Sequence, residues 1–135
     1  MMAQTRDEAE LRSLIERWAA AVRNHDYEGI LAEHDSNIVM FDVPPPLQSR
    51  GLEEYKRTWD LFFTWHKPSD PFDVRELEII AGREVALAIA LMRCGGAGKD
   101  GQHTELDFRL TIGFRKLNGS WRVVHEHHSV PATDE

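Results

Sequence analysis

The sequence predicts an α+β fold, with three helices preceding a run of antiparallel strands. Two apolar stripes at helical spacing lie in the first half of the chain, Leu11/Leu14/Ile15/Trp18/Val22 and Leu52/Tyr55/Trp59/Phe62/Phe63. Beyond Pro71 the pattern changes to strand-like runs, and Asn118-Gly119 is a strong hairpin signal because both central residues of such a turn need positive φ. Helices first and a meander later point away from a parallel doubly wound sheet.

The first helix is expected over residues 5–24, with Thr5 and Glu8 as a capping box. Asn24, His25 and Asp26 break it, and Asp26 caps a short second helix through Tyr27, Ile30, Leu31 and His34. Residues 37–43 alternate as a strand, with Val39, Phe41 and Val43 on one face and Ile38, Met40 and Asp42 on the other. Pro44, Pro45 and Pro46 end it, since proline cannot donate to a ladder. Ser49 is the expected cap of the third helix, which Pro68 and Pro71 close. Strands are expected near 72–81, 83–93, 103–116 and 120–129. Residues 94–102 (CGGAGKDGQ) read as a glycine-rich connector without the spacing of a phosphate-binding loop, and residues 131–135 as a frayed tail. Three helices cannot cover both faces of such a sheet, so one face is left for solvent or another subunit.

The chain has 135 residues, the usual size of one domain, and a single domain over 1–135 with its core near 5–131 is expected. That length buries a core without disulfides or metal. A net charge of −7 argues against nucleic acid and against anionic membrane surfaces as partners. One cysteine, Cys94, allows no internal disulfide, so a cytoplasmic setting is expected. The opening MMAQTRDEAE lacks the apolar core of a signal peptide, and the apolar run Val85 to Met92 is too short to span a bilayer.

Three stretches carry a family resemblance: NIVMFDVPPPLQSRG (37–51), FRLTIGFRK (108–116) and GSWRVVHEHHSVP (119–131). Together they resemble the SnoaL-like and ketosteroid-isomerase-like families of the nuclear-transport-factor-2-like superfamily. The last stretch also resembles, more distantly, the association domain of calcium/calmodulin-dependent kinases. The resemblance implies a cone-shaped, curved antiparallel sheet packed on three N-terminal helices, a cystatin-like architecture enclosing a pocket. It implies no single activity, because the superfamily hosts isomerases, cyclases, hydrolases and non-catalytic binders. Ketosteroid isomerases use an aspartate base at the place where this chain has Asp42. Their oxyanion-hole tyrosine and protonated aspartate fall here on Trp18 and on or near Leu110. An indole donates a hydrogen bond but no proton to an enolate.

Asp42 is thus the candidate general base, suited to that task if its strand face lines an apolar pocket. The alternative is a strand-end residue bonding backbone beside the prolines. Simple alternation on the last strand puts His125 and His127 with Trp121 and Val123 on the inner face, opposite Asp42. One of these imidazoles would be the acid or orienting partner, unless both are structural histidines with satisfied hydrogen bonds. Arg122, Val124, Glu126 and His128 then fall on the convex face, where relatives dimerise. His-x-His with Asp42 or His34 is a weak metal alternative. The resemblance implies neither metal nor cofactor. Trp18, Met40, Trp59, Phe62, Phe108 and Leu110 are the expected pocket walls. Two functions follow as expectations. One is proton abstraction next to a carbonyl of a small apolar ligand, or an isomerisation, cyclisation or hydrolysis built on it. The other is a non-catalytic ligand-binding or oligomerisation domain. A homodimer through the outer sheet face fits both.

Overall fold

The computed structural model describes residues 2–133, with side chains from residue 6 onward. Its elements are α1 (Met2–Arg23), α2 (Tyr27–Leu31), β1 (His34–Phe41), β2 (Ser49–Arg50), α3 (Gly51–Phe62), β3 (Phe72–Ala81), β4 (Val85–Ala97), β5 (His103–Leu117) and β6 (Ser120–Ser129). The strands form one sheet in the order β2-β1-β6-β5-β4-β3. Every neighbouring pair is antiparallel except β1 and β6, which run parallel. The α+β class holds, and the sheet is mixed where a purely antiparallel one was expected. The chain reaches β6 from β1 only after α3 and three further strands, and that long return permits the parallel pairing.

The helices cover one face of the sheet, α1 packing on β3 and α3 on β1. Leu11, Leu14, Ile15, Trp18 and Val22 of α1 and Tyr55 and Trp59 of α3 are buried against it. The sheet answers with Ala86, Ala88, Ala90 and Met92 on β4 and Phe108, Leu110, Ile112 and Phe114 on β5. Small residues on one strand and large ones on the next let the helix side chains interdigitate with the sheet. The opposite face of β4 carries Val85, Leu87, Ile89 and Leu91, all exposed.

Several local expectations hold. Asp26 caps α2 by accepting from the Gly29 N–H at 3.2 Å. Asn118 and Gly119 take φ of 51° and 81°, as the hairpin turn requires. Others are corrected. Helix α1 begins at Met2, so Thr5 lies inside it and not at a cap. Ser49 is buried in β2 opposite Met40, and α3 enters through Arg50, whose N–H donates to the Glu54 carboxylate at 2.7 Å. The glycine-rich connector is shorter than expected. β4 runs on through Gly95 and Gly96 to Ala97, paired with β5 throughout, and the Trp65 ring takes the space where a Gly96 side chain would stand. Of the tail, residues 131–133 are exposed and irregular; 134 and 135 lie outside the described residues.

The consequential correction is on β6. Gly113 pairs with His125 while Phe114 pairs with Val123, so Val124 is one residue too many on β6, a β-bulge. Inward alternation runs Trp121, Val123 and then Glu126, His128. The expected faces are therefore exchanged beyond the bulge. His125 and His127 turn outward, and Glu126 and His128 turn into the core. No helix among the described residues is long and apolar enough to cross a membrane.

Candidate functional site

A cavity of about 270 Å³ opens between α3 and the inner face of the sheet. Thr58, Trp59, Leu61 and Phe62 of α3 form one wall, with Trp65 just beyond it. Phe72, Cys94, Leu106, Phe108 and His128 come from four strands, and Asp42, Val43 and Pro44 close the side beyond β1. Five of the lining residues are phenylalanine or tryptophan. Trp59 stands edge-on to Phe62 and Phe72, with ring centroids 5.6 and 5.9 Å apart. The His128 ring stacks on Phe108 at 5.5 Å with 13° between planes.

Three titratable side chains line the cavity: Asp42, Cys94 and His128. Burial pushes the Cys94 thiol up to about 12, so it is a neutral wall group. Asp42 is half-buried, and its Oδ1 accepts the Val43 N–H at 2.8 Å. One carboxylate oxygen is thus tied to backbone, as the strand-end alternative anticipated. Oδ2 makes no hydrogen bond among the described residues.

His128 is held from below. Its Nε2 lies 3.0 Å from Glu126 Oε1. Glu126 is fully buried, and its Oε2 accepts from the Tyr55 hydroxyl at 2.7 Å and meets His34 Nε2 at 2.6 Å. Trp18 Nε1 donates to the Tyr55 oxygen at 3.1 Å, and His34 Nδ1 donates to the Ala32 carbonyl at 3.0 Å. Burial would raise the Glu126 carboxyl, but hydrogen bonds from His128 and His34, and the His34 charge, outweigh it and hold the group well below the ordinary carboxylate range. Burial, then the neighbouring Glu126 charge, push the Tyr55 phenol well above its ordinary range. Three elements build this network. Tyr55 comes from the buried stripe of α3, His34 opens β1, and the β6 bulge turns Glu126 and His128 inward. Buried ion pairs are poor sources of net stability, so such a cluster beside a cavity points to function more than to folding.

Of the expected pocket residues, Asp42, Trp59, Phe62 and Phe108 line the cavity, whereas Trp18, Met40 and Leu110 lie in the packed core beneath it. His125 and His127 are not brought to it. His125 Nδ1 donates to the Val39 carbonyl at 2.6 Å, and both rings stand edge-on to Phe41 on the outer face. Among the described residues no group of three or more His, Cys, Asp or Glu is placed to hold a metal ion. Glu126, His128 and Tyr55 were missed as site residues, and His34 was weighed only as a metal ligand. Gly113 was the available signal: a glycine inside a strand marks a bulge, and this one faces the bulge on the neighbouring strand.

Comparison with known proteins gives the same architecture. The family model described as a SnoaL-like domain matches residues 11–133. A nuclear-transport-factor-2-like protein of unknown function from Pseudomonas putida is 37% identical, superposes with a TM-score of 0.84, and is matched over 97% of this chain and 91% of its own. A nuclear-transport-factor-2-like protein with a cystatin-like fold from Novosphingobium aromaticivorans gives 0.82 at 14% identity, over 98% and 88% of the two chains. The association domain of the calcium/calmodulin-dependent kinase II of Caenorhabditis elegans gives 0.75 at 16% identity, over 96% and 100%. At such identities the last two share the fold alone. No curated protein matches. The helices on one face of a six-stranded sheet, the cavity between α3 and that face, and the match over nearly the whole chain lead to one conclusion: this chain belongs to the SnoaL-like family of the nuclear-transport-factor-2-like superfamily.

Proposed function

We propose that this chain binds a small, largely apolar organic molecule in the aromatic cavity and moves a proton on it, with Asp42 and His128 as the proton-transferring groups. The observation that carries this reading is their placement. Cys94 apart, they are the only titratable side chains among the lining residues of an otherwise apolar pocket. Charged and polar groups act strongly where apolar walls exclude water. The cavity, about 270 Å³, is just below the roughly 300–1,000 Å³ of pockets for drug-sized ligands, which suits one or two rings. The reaction class is proton abstraction next to a carbonyl, or an isomerisation, cyclisation or hydrolysis built on it. A thermal-shift screen of small cyclic ketones and aromatic hydroxyl and carbonyl compounds tests it. A ligand at 100 times its dissociation constant stabilises by about 2.7 kcal/mol, several degrees here. Turnover of the compound so found should fall at least tenfold in D42N and in H128Q. Absence of any organic ligand, or full turnover in both variants, removes the proposal.

A second reading, self-assembly, rests on a separate observation. The outer faces of β3 and β4 expose Ile80, Val85, Leu87, Ile89 and Leu91 together. Burying this stripe against a second copy makes a homodimer, which is compatible with a pocket on the other face. Light scattering at micromolar concentration should give a dimer that L87D/I89D converts to a folded monomer. A wild-type monomer rejects the reading.

A further inference from the structure

The hydrogen positions in the buried network follow from its partners. The Ala32 carbonyl only accepts, so His34 Nδ1 carries a hydrogen. Another hydrogen must lie between His34 Nε2 and Glu126 Oε2, which are 2.6 Å apart. The depressed Glu126 carboxyl assigns that hydrogen to the ring. His34 and Glu126 are then a balanced ion pair, both with fully buried side chains. Glu126 Oε1 takes the His128 Nε2 hydrogen. A second positive ring beside an already balanced carboxylate would be a buried charge without a counter-ion, which costs several kcal/mol. Asp42, the other carboxylate of the cavity, makes no ion pair with the ring among the described residues. His128 therefore carries a single hydrogen, on Nε2. Its Nδ1 has no hydrogen-bond partner among the described residues, on a ring that lines the cavity.

We propose that His128 is the proton acceptor of the pocket, set in that role by Glu126 and His34, and that the ligand presents a hydroxyl group to its Nδ1. This rests on the reading of the cavity as a ligand site, and it reverses the expectation that the histidine partner is the acid. In the step, the ligand O–H bond breaks as N–H forms at Nδ1, and the electron pair stays on the ligand oxygen. The imidazolium so formed is paired with the ligand oxyanion at Nδ1 and keeps its Nε2 hydrogen bond to Glu126. Glu126 and His34 touch no ligand; they are positioning residues, acting through His128.

Two measurements decide the proposal. The first is nitrogen NMR of the imidazole rings in the labelled full chain. Wild-type His128 should show one tautomer at neutral pH, with hydrogen on Nε2 and a bare Nδ1. In H34Q Glu126 loses its second ring partner, so the His128 Nε2–H resonances should move toward those of a stronger hydrogen bond to Glu126. In E126Q the single tautomer should give way to a mixture. A wild-type ring carrying its hydrogen on Nδ1, or on both nitrogens, overturns the assignment, and so do His128 resonances unmoved in folded H34Q. Should neither variant fold, the wild-type spectrum alone decides. The second measurement is calorimetric binding of 2-naphthol against 2-fluoronaphthalene, a pair close in size but differing in the donor. At least tenfold tighter binding of the naphthol is expected, lost in H128A; equal binding rejects the hydroxyl assignment. Binding of neither compound overturns the hydroxyl assignment and the pocket reading, while the NMR result still decides the state of His128.

Discussion

Replacing Tyr55 with phenylalanine isolates the energetic weight of the buried network. The hydroxyl donates to Glu126 Oε2 at 2.7 Å, accepts from Trp18 Nε1 at 3.1 Å and lies 2.9 Å from His34 Nε2. The ring itself is fully buried and keeps its packing in the variant. Loss of a hydrogen bond to a charged group costs about 1.5–3 kcal/mol, and a buried donor left unpaired, here the Trp18 indole, costs about 1–3 kcal/mol. Trp18 and Glu126 relax in part, so a total near 3 kcal/mol is expected. For 135 residues the unfolding entropy is about 280 cal/mol/K, which makes 1 kcal/mol worth about 3.5 °C. Y55F should therefore melt about 10 °C below wild type by calorimetry. W18F should lose less, and Y55F/W18F less than the sum of the two, because the donor orphaned in Y55F is absent from the double variant. A Y55F loss below about 3 °C, or strict additivity in the cycle, would falsify the claim that these groups form one bonded unit.

Three further outcomes are expected. The Glu126 carboxyl is held at about 2 against an ordinary 4.5, so its contribution is fully present above pH 4.5 and is lost as pH falls toward 2. Urea midpoints between pH 6 and pH 3 should therefore fall steeply in wild type, and an equal slope in E126Q contradicts the assignment. His66 Nε2 donates to the Asp70 carbonyl at 3.0 Å, which leaves its Nδ1 to accept from His25 Nε2 at 2.9 Å, and burial lowers both rings below the ordinary 6.5. Stability at this joint between α1 and α3 is therefore present above pH 6.5 and lost as pH falls below it; amide protection at Trp65 and His66 should drop between pH 6.5 and 5, and unchanged protection argues against the pairing. A Gly96 side chain would meet the Trp65 ring at 2.3 Å, so G96A should displace that pocket wall and cost about 1–3 kcal/mol by thermal melting; a neutral variant means the ring has room to move.

The helices and most strands were legible because their signals are local and periodic. α1 and α3 follow their apolar stripes, and Asp26 and Asn118-Gly119 act through their own backbone neighbours. The site was legible only in part. Asp42, Trp59, Phe62 and Phe108 sit where simple alternation and helical spacing put them. The histidines did not, because alternation fixes relative facing only along an unbroken strand. His-Glu-His-His has titratable residues on both faces, so composition gave no means of choosing between them. Which pair turns inward depends on the pairing of β6 with β5, a non-local fact. Trp18 and Tyr55 likewise read as ordinary core aromatics, and their hydroxyl–indole bond appears only when α1 and α3 share the sheet.

The bulge at Val124 gives β6 the character of a reading frame. Upstream of it Trp121 and Val123 are fixed inward by the core, and the strand beyond can be presented to the interior in either of two phases. Removing Val124 would only straighten the strand and leave Glu126 and His128 inward, whereas one residue inserted beside the retained bulge would, at constant pairing upstream, move the residues after it into the other phase. The interior would exchange a glutamate and a histidine for two histidines, and the outer face would receive the carboxylate. One codon's worth of insertion, with no substitution anywhere, thus separates an interior with a built-in counter-ion from one without. Chains sharing this fold and nearly this sequence can therefore carry different pocket chemistry.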